Sequence, residues 1–157
     1  MTAIAPRDED FSTTLSVDQT PEEVFVAITN VRGWWSENIE GNTDALNDEF
    51  TYRHKDIHQC QIRVTALIPE KRVSWLVVDN HFNFTEDKSE WKGTEILFDI
   101  SQNRDKTEVR FTHVGLVPEY ECFDVCSNSW DFYLHTSLRG LIRTGQGLPN
   151  QKEQGDE

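Results

Sequence analysis

Apolar and polar residues alternate along most of this chain, and near its end the alternation gives way to a spacing of three and four. Phe11, Thr13, Leu15 and Val17 share one side and Ser12, Thr14 and Ser16 the other, which predicts an opening strand from Phe11 to Val17. Thr20-Pro21-Glu22-Glu23 then joins an N-cap threonine, a proline at the first helical position and a glutamate at the third. A short helix carrying Val24, Phe25, Ala27, Ile28 and Val31 should follow. It breaks near Gly33, just before Trp34-Trp35, and the polar stretch from Gly41 to Asn47 reads as a loop. Phe50 to His54 and His58 to Ile68 are predicted strands, the second with Cys60, Ile62, Val64, Ala66 and Ile68 on one face. The turn Pro69-Glu70-Lys71 leads it into a partner over Val73 to Val78. Asn80 to Gly93 reads as a loop that Phe82 and Phe84 could turn into further strand. Thr94 to Gln102 and Thr107 to Val114 form a last hairpin, with Ile96, Phe98, Ile100 and Val109, Phe111, His113 on like faces. From Glu121 to Arg143 the inward stripe Cys126, Trp130, Tyr133, Leu134, Ser137, Leu138, Leu141 predicts one long amphipathic helix, stopped by the glycine-rich Thr144 to Pro149.

A long helix after a run of strands needs a broad apolar partner, and a curved antiparallel sheet supplies one. The fold class expected is therefore α+β: about six to seven strands wrapped around the C-terminal helix, with a short helical pair after the first strand. One domain over 11–149 is predicted, preceded by an extension over 1–10 and followed by an acidic, disordered tail over 150–157. The acidic run Asp8-Glu9-Asp10 reads as solvated.

Charge and composition then remove whole classes of function. Acidic residues number 28 against 15 basic ones, a formal net charge of −13 that opposes contact with phosphate backbones. Nucleic acid is not an expected partner. No apolar run approaches the ~18 residues of a membrane span, and the start lacks the basic and apolar segments of a secretory signal. With three cysteines, Cys60, Cys122 and Cys126, there is no even disulfide framework, so a cytoplasmic location is expected. Cys122 and Cys126 lack the paired spacing of structural zinc, and His54 and His58 lie too far apart along an extended segment to share an ion. No metal and no cofactor are expected, and the chain would suit a monomer or a homodimer.

The order strand, short helical pair, antiparallel run and long helix resembles the helix-grip architecture of the SRPBCC superfamily, which includes START domains, pollen allergens and polyketide cyclases. Leu15-Ser16-Val17-Asp18-Gln19-Thr20-Pro21-Glu22-Glu23-Val24-Phe25, the following Trp34-Trp35, Trp130, Ser137-Leu138 and Gly145-Gln146-Gly147-Leu148-Pro149 are similar to the branch homologous to activators of the heat-shock protein 90 ATPase. The resemblance runs from about Phe11 to Pro149 and implies a cavity between helix and sheet. Family members use it for lipids, hormones, polyketides or a protein partner, so no catalytic residue carries over.

Candidate site residues follow from chemistry. Trp75, Phe98, Phe111, His113, Trp130 and Tyr133 should point inward, with Trp34 and Trp35 near the mouth of a cavity. Small-molecule pockets are commonly apolar and aromatic with a few orienting polar groups, a part that His113 and Tyr133 could play. The same rings would also fill a closed core, with His113 as a hydrogen-bonded core residue. A small hydrophobic or aromatic ligand is the expected partner. The alternatives are a protein-interaction module of the chaperone-activator kind, or a cyclase- or hydrolase-like enzyme whose titratable groups would be His113, Tyr133, Asp99 or Asp131. Chaperone activators usually carry a further domain, for which this chain has no room.

Overall fold

The computed structural model describes residues 10–150 except 56, 87, 89 and 90. The expected extension and tail therefore lie, apart from residues 10 and 150, outside the described residues. Seven antiparallel strands make one sheet: β1 (Phe11–Val17), β2 (Ile39–Gly41), β3 (Glu49–His54), β4 (His58–Ile68), β5 (Arg72–Phe82), β6 (Glu95–Asn103) and β7 (Lys106–Val114). Their order, β1-β7-β6-β5-β4-β3-β2, is a meander from β2 to β7 that β1 extends at the far edge. Strand β2 has no counterpart in the alternation pattern, because three residues with only Ile39 buried give no period to detect.

Between the first two strands lies the helical pair, α1 (Pro21–Thr29) and α2 (Val31–Trp34). The capping box forms as the sequence dictates. Glu23 N–H donates to Thr20 Oγ1 at 3.1 Å, and Thr20 N–H donates to Glu23 Oε1 at 3.0 Å. Asp10 departs from the solvated reading: it is buried and accepts the Gly115 N–H at 3.0 Å.

Two bulges bend the sheet around the helix. In the β4–β5 ladder Gln61 faces Asp79 while Ile62 faces Val77, which leaves Val78 as an extra residue; Val64 faces Trp75 while Ala66 faces Ser74, which leaves Thr65. Each extra residue flips the side-chain phase and increases the local bend. That is why Ile68 is exposed while Leu67 packs on the core, contrary to a strict period of two, and why Asn80 and Phe82 turn inward beyond Val77.

The C-terminal helix runs for 22 residues as α3 (Phe123–Asp131), a π-helical stretch (Phe132–Leu138) and α4 (Arg139–Thr144). A π-helical turn holds about one more residue than an α-turn, so it sets back the residues beyond it. At about 100° per residue, Leu141 would return to within about 20° of Trp130 in an unbroken α-helix. The inserted residue transfers that place to Ile142, which is buried while Leu141 is only partly so.

Past the helix the chain turns through Gly145, whose φ of 84° is the left-handed conformation that favours glycine at a helix end. It then straps back across the break after α2. Leu148 N–H donates to Ser137 Oγ at 2.8 Å, and Ser137 Oγ–H donates to the Trp34 carbonyl at 2.6 Å. Asn150 N–H donates to the Trp35 carbonyl at 3.0 Å, and Glu37 N–H to the Asn150 carbonyl at 2.8 Å. The strap lies so close that a Cβ on Gly147 would stand 2.3 Å from the Gly33 carbonyl oxygen. Gly147→Ala is expected to cost about 1–3 kcal/mol by forcing the strap outward, a loss that chemical denaturation would read; unchanged stability would show that the strap shifts freely.

Candidate functional site

A cavity of about 230 Å³ opens between the end of the sheet and the first turns of the C-terminal helix. Trp35 enters it from the break after α2, Tyr52 and His54 from β3, His58 from the start of β4 and Phe82 from the end of β5. Phe84 and Trp91 come from the β5–β6 connection, Ile57 from the β3–β4 turn, and Val125, Cys126, Ser129, Trp130 and Tyr133 from the helix. The deep wall is ring against ring. Trp35 stacks on Tyr52 with centroids 4.3 Å apart, Trp91 lies parallel to Trp130 at 5.9 Å, and His58 lies against Phe82 at 4.2 Å. Three of the lining side chains are instead exposed large apolar groups: Ile57 at 39%, Phe84 at 42% and Val125 at 56%. They form an apolar rim.

Polar groups are few. Asn150 Nδ2 reaches both the Tyr133 hydroxyl at 2.8 Å and the Tyr52 hydroxyl at 3.1 Å, so the strap holds the tyrosine pair. Burial, with Tyr133 alongside, pushes the Tyr52 hydroxyl far above its ordinary range, and burial likewise raises the Cys60 thiol. His58 and Asn80 meet at 2.7 Å through Nε2 and Oδ1, and Asn80 Nδ2 donates to the Lys88 carbonyl at 3.4 Å. Because a carbonyl oxygen only accepts, His58 carries its proton on Nε2. Burial lowers the His58 pKa to about 4, so the ring is neutral at pH 7.

Of the eight side chains proposed from sequence, the cavity brings together Trp35, Trp130 and Tyr133. The other five stand behind its wall. Trp34, Trp75, Phe98, Phe111 and His113 are completely buried, with Trp34 parallel to Trp75 at 6.4 Å and Phe98 edge-on to both. His113 belongs to a closed relay. Trp130 Nε1–H donates to His113 Nδ1 at 3.1 Å, His113 Nε2–H donates to Thr94 Oγ1 at 2.8 Å, and Thr94 donates to the Trp91 carbonyl at 2.6 Å. An indole N–H only donates, which fixes the imidazole as neutral, and burial takes its pKa down to about 3. Both ring nitrogens are occupied by the relay. Asp99 is ion-paired with Arg72 at 2.7 Å on the outer face, and Asp131 is exposed, so neither reaches the cavity.

Several lining residues escaped the sequence reading. Tyr52 shares the phase of buried Phe50, and His58 shares that of Cys60, Ile62 and Val64, so both were legible as inward-facing. Trp91 sits in a connection without period, and nothing in the sequence marks it.

No protein-family model and no curated protein sequence matches the chain. Solved structures do. The Aha1 dimer of Colwellia psychrerythraea is 27% identical with a TM-score of 0.70, over 88% of this chain and 98% of that one. The chain has the helix-grip fold and is similar to the Aha1-like branch of the SRPBCC superfamily. DynU16, from the dynemicin biosynthetic locus, is 14% identical with a TM-score of 0.66 over 90% of this chain and 49% of its own. CalU16 of Micromonospora echinospora is 13% identical with a TM-score of 0.61, over 86% of this chain and 76% of its own. These two share the fold. No helix among the described residues is long and apolar enough to cross a membrane.

Proposed function

We propose that the protein binds a small, largely aromatic molecule in the cavity between the sheet and the C-terminal helix. The observation that carries this reading is an aromatic cavity of about 230 Å³ with an apolar rim open to solvent. Cavities of ~150 Å³ already hold benzene, so one or two rings fit. Exposed apolar side chains gathered at a mouth mark a binding surface more than a fold requirement. Titration with 2-methylnaphthalene is expected to quench tryptophan fluorescence and saturate at one molecule per chain, and native mass spectrometry of freshly purified protein should retain a guest. Absence of both would refute the reading.

One observation favours a second reading, that of a protein-interaction module. The Aha1 likeness extends over 88% of this chain and 98% of the solved Aha1 chain. Stimulation of a heat-shock protein 90 ATPase by the purified protein would support it, and an unchanged turnover would oppose it.

A further inference from the structure

We propose that the cavity selects an uncharged hydroxylated aromatic, a phenol of one or two rings, whose O–H donates to Nδ1 of His58. This rests on the cavity being a ligand site, and it adds the chemistry of the guest.

Among the described residues, no Lys, Arg, Asp or Glu lines the cavity. A carboxylate or an ammonium entering it would lose its water without gaining a partner of opposite charge, which is costly in an aromatic enclosure. The guest is therefore neutral. Among the polar groups of the lining, His58 presents a fixed acceptor by which neutral guests can be told apart. Asn80 Oδ1 takes the Nε2 proton at 2.7 Å, and the Lys88 carbonyl fixes the Asn80 amide in that orientation. The imidazole is thereby locked with Nδ1 as a bare acceptor, and among the described residues Nδ1 has no partner. Depression of the ring's basicity by burial keeps it an acceptor at neutral pH. The ring itself is packed against Tyr52 at 5.3 Å, Phe82 at 4.2 Å and Trp91 at 4.7 Å, all three of them lining residues of the cavity.

An apolar guest would strip water from Nδ1 and leave an acceptor unsatisfied; a hydroxylated guest would satisfy it. Hydroxyl and methyl are of similar size, so comparing 2-naphthol with 2-methylnaphthalene isolates that one interaction. In a pocket without a waiting acceptor, the methyl compound binds more tightly because the hydroxyl loses water for nothing.

Calorimetric titration of the full chain at pH 7 is expected to give 2-naphthol a Kd at least about ten-fold lower than 2-methylnaphthalene. In His58→Phe, which keeps an aromatic ring but removes the acceptor, that preference should vanish or reverse. The wild-type protein supplies a second measurement that needs no variant: the His58 Nδ1 nitrogen resonance should move on adding 2-naphthol and stay in place with 2-methylnaphthalene. Equal or tighter binding of the methyl compound by the wild type, or an unmoved Nδ1 resonance, overturns the phenol assignment and leaves the cavity as a ligand site. Failure of both compounds to bind overturns the cavity reading with it.

Discussion

Acidification from pH 6.5 to 4 is expected to remove on the order of 5 kcal/mol of stability, enough to unfold a domain of ordinary marginal stability. Two histidines are responsible. His58 and His113 are held neutral in the fold, titrating near 4 and 3, against 6.5 for a free side chain, and burial is the leading cause for each. Above pH 6.5 neither state binds the proton and stability is full. Below it the unfolded chain takes up protons that the native state refuses, so stability falls as pH falls. Each histidine contributes a slope of about 1.4 kcal/mol per pH unit until its own native value is reached. Exposed pairs such as Asp18 with Lys106 and Glu49 with Arg63 add little, because solvent screens them. Urea unfolding at pH 7, 5.5 and 4.5 would measure the trend, and His58→Phe should roughly halve its slope. A flat profile down to pH 4.5 would show that the rings are reached by water.

Trp34→Ala is expected to cost about 3–5 kcal/mol and to lower Tm by roughly 10 °C while leaving ligand affinity in the surviving fold unchanged. Trp34 is completely buried, lies among Trp35, Trp75 and Phe98, and donates its Nε1–H to the Ile28 carbonyl at 3.1 Å. It does not line the cavity. Val125→Glu should do the reverse. Val125 is mostly exposed, so a charge there costs the fold little, but at the apolar rim it opposes entry of an apolar guest. Thermal melts and 2-methylnaphthalene titrations of the two variants would separate core from site, and a loss of binding in Trp34→Ala would merge them again.

The fold was legible because strands that bury one face advertise it by alternation, as Cys60, Ile62 and Val64 do, and because a capping box such as Thr20 to Glu23 is a local device whose geometry the residues carry with them. The candidate site was legible only in part, for a different physical reason. Alternation tells which side of the sheet a residue faces, not how far from the cavity it stands along the strand. Trp75, Phe98, Phe111 and His113 face the same interior as Tyr52 and His58 but lie behind the wall. Separating them requires the register of the ladders, and that register is altered by bulges at Val78 and Thr65 that no residue type announces. Trp91 reaches the cavity by the path of an irregular connection, which carries no period at all.

The π-helical stretch from Phe132 to Leu138 has a bearing on how this chain should be lined up with its relatives. It amounts to one extra residue absorbed inside a continuous helix, with Trp130 and Ile142 still facing the core on either side. A relative whose last helix is α-helical throughout would keep both ends in register by being one residue shorter. The gap in such an alignment therefore belongs within 132–138. Placing it in the loop before the helix or in the strap after it would displace every inward position at one end by about 100°.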